Sequence, residues 1–283
     1  MNLQNISTAS AGWIAAALVS VTPASAQPGQ GAASCPAIPH AHASARSGPT
    51  TSALVELYTS EGCSSCPPAD RQLSDLRHTL GADVQAIPLA LHVNYWDAIG
   101  WRDPYAQDAF GERHSALVHA NGHQIVYTPH FFINGVEQSQ DAQAWRRTVK
   151  DLNAEPAQAS IALDVLSSGS GGLRVVADAH ATPERKAVLF LALAQNGLAS
   201  QVTRGENRGS RLTHEHVVRS WIGPLALDQG ALHIERDLPL PAGADPAALE
   251  VVAFVSDGAD GRVLQAVQAT LCDSTAKVVA SER

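Results

Sequence analysis

The sequence predicts an α/β domain over residues 52–153, followed by a small, mainly-β, sandwich-like domain over residues 158–273. Three observations point that way. Strand-like runs alternate with helix-period runs through the first half. Period-two alternation with Ser/Gly turns dominates the second half, where little helical periodicity is found. A Cys-x-x-Cys pair stands where the first strand of the α/β part turns into its first helix.

That junction is VELYTSEGCSSCPPAD, residues 55–70. Val55, Leu57 and Tyr58 read as a strand, Thr59 to Gly62 as a turn, and Cys63 and Cys66 fall at a helix start. Unpaired N–H groups at such a start stabilise a thiolate, so Cys63 can attack at neutral pH. Cys66 lies within reach to close a disulfide or resolve a mixed one. A structural disulfide, half of a zinc site and two unrelated buried thiols are the competing readings.

Residues 1–26 read as a signal peptide, with an apolar core too short to span a bilayer and Ala24-Ser25-Ala26 as a cleavage site. Residues 27–51, rich in Pro, Gly, Ser and Ala, read as a disordered leader. After the motif, Ala69, Leu73, Leu76 and Leu80 form one apolar helix face, with Gly81 as its stop and Pro67 and Pro68 tolerated in the first turn. Val84 to Val93 is strand-like, and Pro88 within it suggests a bulge or an exposed edge. His92 to Pro104 gathers Tyr95, Trp96 and Trp101 with Asp97, Arg102 and Asp103, as core filler or as the wall of a groove. Ala106 to Ala120 reads as a helix ending near Asn121-Gly122. Ile125 to Gly135 leads through Thr128-Pro129 into Phe131, Phe132, Ile133 and an Asn-Gly turn. Asp141 to Leu152 is the last helix of this half, and Asn153 to Gln158 a linker. Six strand-like runs follow, interrupted by the polar, basic stretch Thr203 to Trp221. There His214, His216, Glu206 and Glu215 read as surface polar residues, with metal binding as the rival.

The 283 residues carry a formal charge of −8, which argues against non-specific nucleic-acid binding. No stretch after the signal is long and apolar enough to span a membrane. Cys35 and Cys272 stand near opposite ends of the mature chain, and their pairing is open.

The strand VELY, the CSSC turn, VQAIPLALHV, the TP before HFFI and the NG turn together resemble the thioredoxin superfamily. Across residues 53–270 the runs VELYTSEGCSSCPPAD, HVNYWDAIGWRDP, YTPHFFING, GENRG-x-x-LTHEHVVR and VAFVSD are similar to the domain of unknown function 1223, a family of bacterial secreted proteins. The resemblance implies a thioredoxin-like fold. It makes Cys63 the attacking thiol, Cys66 the resolving thiol, Pro129 a cis-proline beside them, and Glu56 a buried carboxylate that helps deprotonate Cys66. The expected activity is thiol–disulfide oxidoreduction on an exported protein or small thiol, in the periplasm or secreted, with no cofactor. Thr128, Pro129 and His130 would hold an extended substrate, and Tyr95, Trp96 and Trp101 would line its groove. The alternatives are a binding or scaffold protein with CSSC as a permanent disulfide, and Cu(I) or zinc handling by the dithiol with His92 or His130.

Overall fold

The computed structural model describes residues 42–168 and 171–271. The expected signal peptide, residues 27–41 of the expected leader, and Cys35 and Cys272 lie outside the described residues. The chain opens with β1 (His42–Arg46), β2 (Ala53–Thr59), α1 (Cys66–Ser74), α2 (Leu76–Leu80) and β3 (Ala86–His92). It continues through α3 (Asp108–Ala120), β4 (His130–Ile133), β5 (Val136–Gln138) and α4 (Ala142–Ala154). Strands then dominate: β6 (Ala159–Ser167), β7 (Leu173–Ala181), β8 (Ala187–Gln195), β9 (Leu198–Gln201), β10 (Arg211–His214), β11 (Val217–Ala226), β12 (Ala231–Leu238), β13 (Leu249–Asp257) and β14 (Val263–Thr270).

The α/β, thioredoxin-like expectation does not hold. With fourteen strands and four α-helices among the described residues, the molecule is mostly β. Its main sheet has eight strands in the order β14-β13-β8-β11-β3-β2-β4-β5, drawn from both halves of the sequence. The joint is between β3 and β11. β3 runs parallel to β2 from Ala53↔Ala86 to Thr59↔His92, and on its other side meets β11 at Val217↔Ala90. There the Ala90 N–H donates to the His216 carbonyl at 2.9 Å. Pro88, two residues earlier on that edge, has no N–H to give, so pairing begins only beyond it. An apolar β3 with an unpaired edge needs a neighbour. The second half supplies one, where the sequence suggested a separate sandwich.

A four-stranded sheet, β1-β6-β7-β12, packs through Leu163, Val165, Val175 and Ala177 against Leu189, Leu191, Val251 and Ala253 of the main sheet. α1, α2 and α4 cover Val55 and Leu57 of β2 with Ala69, Leu73, Leu80, Trp145 and Val149. The opposite face of β2 presents Leu54 and Tyr58 to a second core containing Phe110, Leu117 and Val118 of α3. Alternation along β2 thus sends odd-numbered residues toward α1 and even-numbered ones toward α3.

Two local expectations are also corrected. Residues 42–51 are not a disordered leader: β1 pairs with β6 from His42↔Leu166 to Arg46↔Ala162, and Ala43 and Ala45 face the core. The edge of β6 explains this, since it carries unpaired backbone groups that an alternating HASAR strand satisfies. The single helix expected through Leu80 is instead divided at Asp75 into α1 and α2. The Ser74 hydroxyl donates back to the Asp70 carbonyl at 2.9 Å, a bond that competes with the helical ladder. The 153–158 segment is tied down: the Asn153 amide donates to the carbonyls of Thr51 and Gln85.

Candidate functional site: a clasped dithiol turn

β2 delivers the chain to the turn, and α1 takes it away. Cys63 and Cys66 form a disulfide with their Cα atoms 5.4 Å apart. Cys66 is the first residue of α1, with Pro67 and Pro68 following in its first turn as expected. The Ser65 hydroxyl lies 3.3 Å from the Cys63 sulfur. That sulfur is 3.8 Å from the carbonyl oxygen of Thr128, and the Thr128–Pro129 peptide is cis. Pro129 and the dithiol are therefore neighbours.

Both sulfur-bearing residues are 0% exposed, whereas Ser64 and Ser65 between them face solvent. The cover comes from two directions. From the 92–104 loop, Trp96 packs on Gly62, where a Cβ would stand 3.1 Å from the Trp96 Cβ. Its indole N–H donates to the Thr128 hydroxyl at 2.7 Å, and the Trp101 indole N–H donates to Glu61 at 2.8 Å. Trp96 and Trp101 are thus pinned against the dithiol turn rather than lining an open groove. From the β9–β10 connection, the buried Asn207 amide donates to the carbonyls of both Glu61 (2.8 Å) and Cys63 (2.9 Å). The carboxylate of Glu206 accepts from the Ser64 N–H at 2.9 Å. Thr203, Arg204, Gly205, Glu206 and Arg208 border an open cleft of about 610 Å³ together with Ile99.

Beneath the turn lies a buried set of titratable groups. The Thr59 hydroxyl donates to Asp70 Oδ1 at 2.7 Å. His214, only 2% exposed, donates from Nε2 to Glu61 Oε1 at 3.0 Å. Its Nδ1 is 3.9 Å from Asp70 Oδ2, beyond hydrogen-bond reach. His92 donates from Nδ1 to Asp103 Oδ2 at 2.7 Å. Its Nε2 is buried without a hydrogen-bond partner. The His92 and His214 rings meet edge to face at 5.0 Å. Burial raises the Asp70 pKa, an effect that His92, His214 and the Thr59 bond oppose without cancelling. Burial also works against charge on Asp103 and His92, but their mutual attraction wins, holding Asp103 below and His92 above their ordinary values.

Glu56 is not part of this set. It lies on the α3 face of β2, away from α1, and accepts from Arg113 Nε (2.7 Å) and Nη2 (3.0 Å) and from the Tyr58 hydroxyl (3.2 Å). The Arg113 guanidinium sits 4.7 Å from the Phe190 ring centre and 4.9 Å from that of Phe254. The strand's two-residue period decides against the expected role, since an even position cannot face a helix that packs on odd ones.

The His130 ring is buried, with its Nδ1 2.9 Å from His114 Nε2. Burial takes the His114 pKa down to about 3. Thr128 and Pro129 remain beside the sulfur. Tyr95, Ile99, Ile125, Val126 and Tyr127 are exposed. Among the described residues, no three His, Cys, Asp or Glu side chains gather as a metal-holding set. The sequence did not single out Glu61, Asp70, Asn207 or His214 for roles at the dithiol, and His214 is no surface residue. Asp70 alone had a usable signal: it follows Cys66 by four residues, one helical turn along the same face.

The site and fold together define a mostly-β protein with a buried dithiol turn held by its own second half. The chain belongs to the DUF1223 family, described as a protein of unknown function, which it matches over residues 54–256. No protein with a curated description matches the sequence significantly. Two solved structures are similar. An X-ray crystal structure of a protein from Agrobacterium tumefaciens has a TM-score of 0.60 at 20% identity, covering 82% of this chain and 99% of that one. HBP35 of Porphyromonas gingivalis has a TM-score of 0.61 at 17% identity, covering 83% of this chain and 79% of its own. At such identities the likeness concerns the fold alone.

Proposed function

We propose that this protein is an exported thiol–disulfide oxidoreductase, working in the periplasm or after secretion on a disulfide of another exported protein or a small thiol. The observation that carries the reading is a Cys63–Cys66 pair at the start of α1 whose first sulfur lies 3.8 Å from the carbonyl preceding cis-Pro129. In the reduced protein the Cys63 thiolate attacks a substrate disulfide, forming a mixed disulfide and releasing one substrate thiolate. Cys66 loses its proton and attacks the Cys63 sulfur, restoring the intramolecular disulfide and releasing the second thiolate. Two electrons pass from the dithiol to the substrate, and no cofactor takes part.

A second reading rests on burial. With both sulfurs inaccessible and the turn clasped by Asn207 and Glu206, the disulfide can act as a permanent staple of a binding or scaffold protein. The test is to mix the reduced protein with an unfolded, disulfide-bonded polypeptide and follow both partners by mass. The enzymatic reading expects electron transfer that Cys63→Ser abolishes, and a trapped mixed disulfide in Cys66→Ser. A disulfide that resists mild reductant in the folded protein and exchanges with no substrate establishes the staple.

A further inference from the structure

Resting on that oxidoreductase reading, we infer that the tip of the β9–β10 hairpin, residues 203–208, is a redox-released latch. It is shut on the Cys63–Cys66 disulfide and expelled when Cys63 becomes a thiolate. β9 and β10 pair from Leu198↔His214 to Gln201↔Arg211 as a two-stranded ribbon of their own, outside both larger sheets. The His214–Glu61 bond anchors the ribbon. Its end is closed by the Val202 N–H donating to the Ser210 carbonyl at 2.9 Å, and the Gly209 N–H to that of Val202 at 2.8 Å. Beyond this closure, and among the described residues, the tip hydrogen-bonds to the rest of the molecule only through Glu206 and Asn207. Those two side chains occupy three main-chain groups of the dithiol turn: the carbonyls of Glu61 and Cys63 and the N–H of Ser64. Gly205, at φ +73°, rests on Trp101, where a Cβ would stand 3.2 Å from the Trp101 Cβ. The open cleft beside the tip leaves it room to move.

Charge supplies the release. A disulfide is neutral, so in the oxidised protein the Glu206 carboxylate takes the Ser64 N–H just ahead of the positive end of α1. Its bonds to Ser64 hold the Glu206 carboxyl below its usual pKa. The Glu61 carboxylate is engaged elsewhere, by Trp101 and His214. Reduction by an external dithiol opens the S–S bond and leaves a thiolate on Cys63 and a thiol on Cys66. The external dithiol becomes a disulfide, and one proton passes to solvent. The new anion draws on the N–H groups of the same turn, and two anions then compete for one helix start. Cys63 is buried and Glu206 is exposed, so the carboxylate is the one that water takes. Asn207 leaves with its neighbour and frees the two carbonyls. The disulfide form is therefore shielded, and the form that attacks a substrate is open.

The experiment is limited trypsin digestion of the full chain, with cleavage after the exposed Arg204 and Arg208 followed by mass. In the wild type, cleavage there is expected to be about fivefold faster after reduction with dithiothreitol. Cys66→Ser keeps the Cys63 thiolate and should be cut as fast as the reduced protein. Cys63→Ser lacks both the disulfide and the thiolate, and should be cut as slowly as the oxidised protein. That contrast separates the charge from the lost covalent tie. Glu206→Gln keeps the acceptor without its charge and should stay closed after reduction. Equal cleavage in the two cysteine variants overturns the latch, and leaves the oxidoreductase reading standing where the wild type still exchanges with a substrate disulfide. A wild type that exchanges with none removes the oxidoreductase reading itself. Should a cysteine variant fail to fold, hydrogen exchange over residues 203–208 decides, in the wild type and Glu206→Gln before and after reduction. Protection that falls in the wild type alone supports the latch, and any other pattern refutes it.

Discussion

Two buried charge centres lie on opposite faces of β2, and they are built to different standards. On the α3 face, Glu56 is forked by Arg113, capped by Tyr58, and roofed by Phe190, Phe254 and Trp221. On the α1 face, His92 has a ring nitrogen with no partner, and His214 and Asp70 stand 3.9 Å apart without a bond. Buried polar groups are costly unless satisfied, so the closed Glu56 set locks the fold, while ring nitrogens without a hydrogen-bond partner remain at His92 under the dithiol and at His114 and His130 elsewhere on the α3 face. The first centre is scaffold. The second sits under a disulfide.

The largest effect should come from breaking the closed centre. Arg113→Ala leaves Glu56 buried and uncompensated, and costs about 3–5 kcal/mol of stability. Denaturant titration measures this loss, and Arg113→Met combined with Glu56→Leu should recover much of it. A loss under about 1 kcal/mol would show the two centres to be alike. The clasp over the turn comes next. Asn207→Ala removes two buried hydrogen bonds worth about 1 kcal/mol each. It should speed reduction of the Cys63–Cys66 disulfide by mild reductant about tenfold or more, read by mass after alkylation. An unchanged rate would mean that Asn207 does not control access to the sulfurs.

The smallest effect is on stability against pH, and it separates the centres by sign. Asp70 has a folded pKa raised by burial. Its contribution is present in full below its unfolded pKa and is lost as pH rises through the folded one. Asp70→Asn should therefore be more stable than the wild type at neutral pH, with the advantage vanishing in acid. Asp103 runs the other way. Its folded pKa is lowered because His92 outweighs burial, so its contribution is lost as pH falls through that value. Asp103→Asn should cost stability at neutral pH and less in acid. Denaturation midpoints between acid and neutral pH check both signs.

The local chemistry was legible where sequence neighbours make it. The CSSC turn, prolines in the first turn of α1 and the position of α3 follow from adjacent residues and short periodicities, whereas the closeness of Pro129 came only with the family resemblance. What escaped was set by distant pairing. Nothing near Val84 to Val93 announces that β11 will join β3 some 130 residues later, so a shared sheet read as two domains. The error over Glu56 was avoidable, since the two-residue period of β2 already places it opposite Val55 and Leu57. His214 and Asn207 were not recoverable in this way. A polar, basic stretch reads as surface until the fold presses it onto the dithiol.

Alkylation of the reduced protein across pH, read separately by mass at Cys63 and Cys66, tests the oxidoreductase reading most directly. Cys63 should react as a thiolate well below the ordinary free-cysteine pKa of about 8.5, with Cys66 titrating higher. Two sulfurs that both titrate at or above that value would contradict it and leave the disulfide a staple.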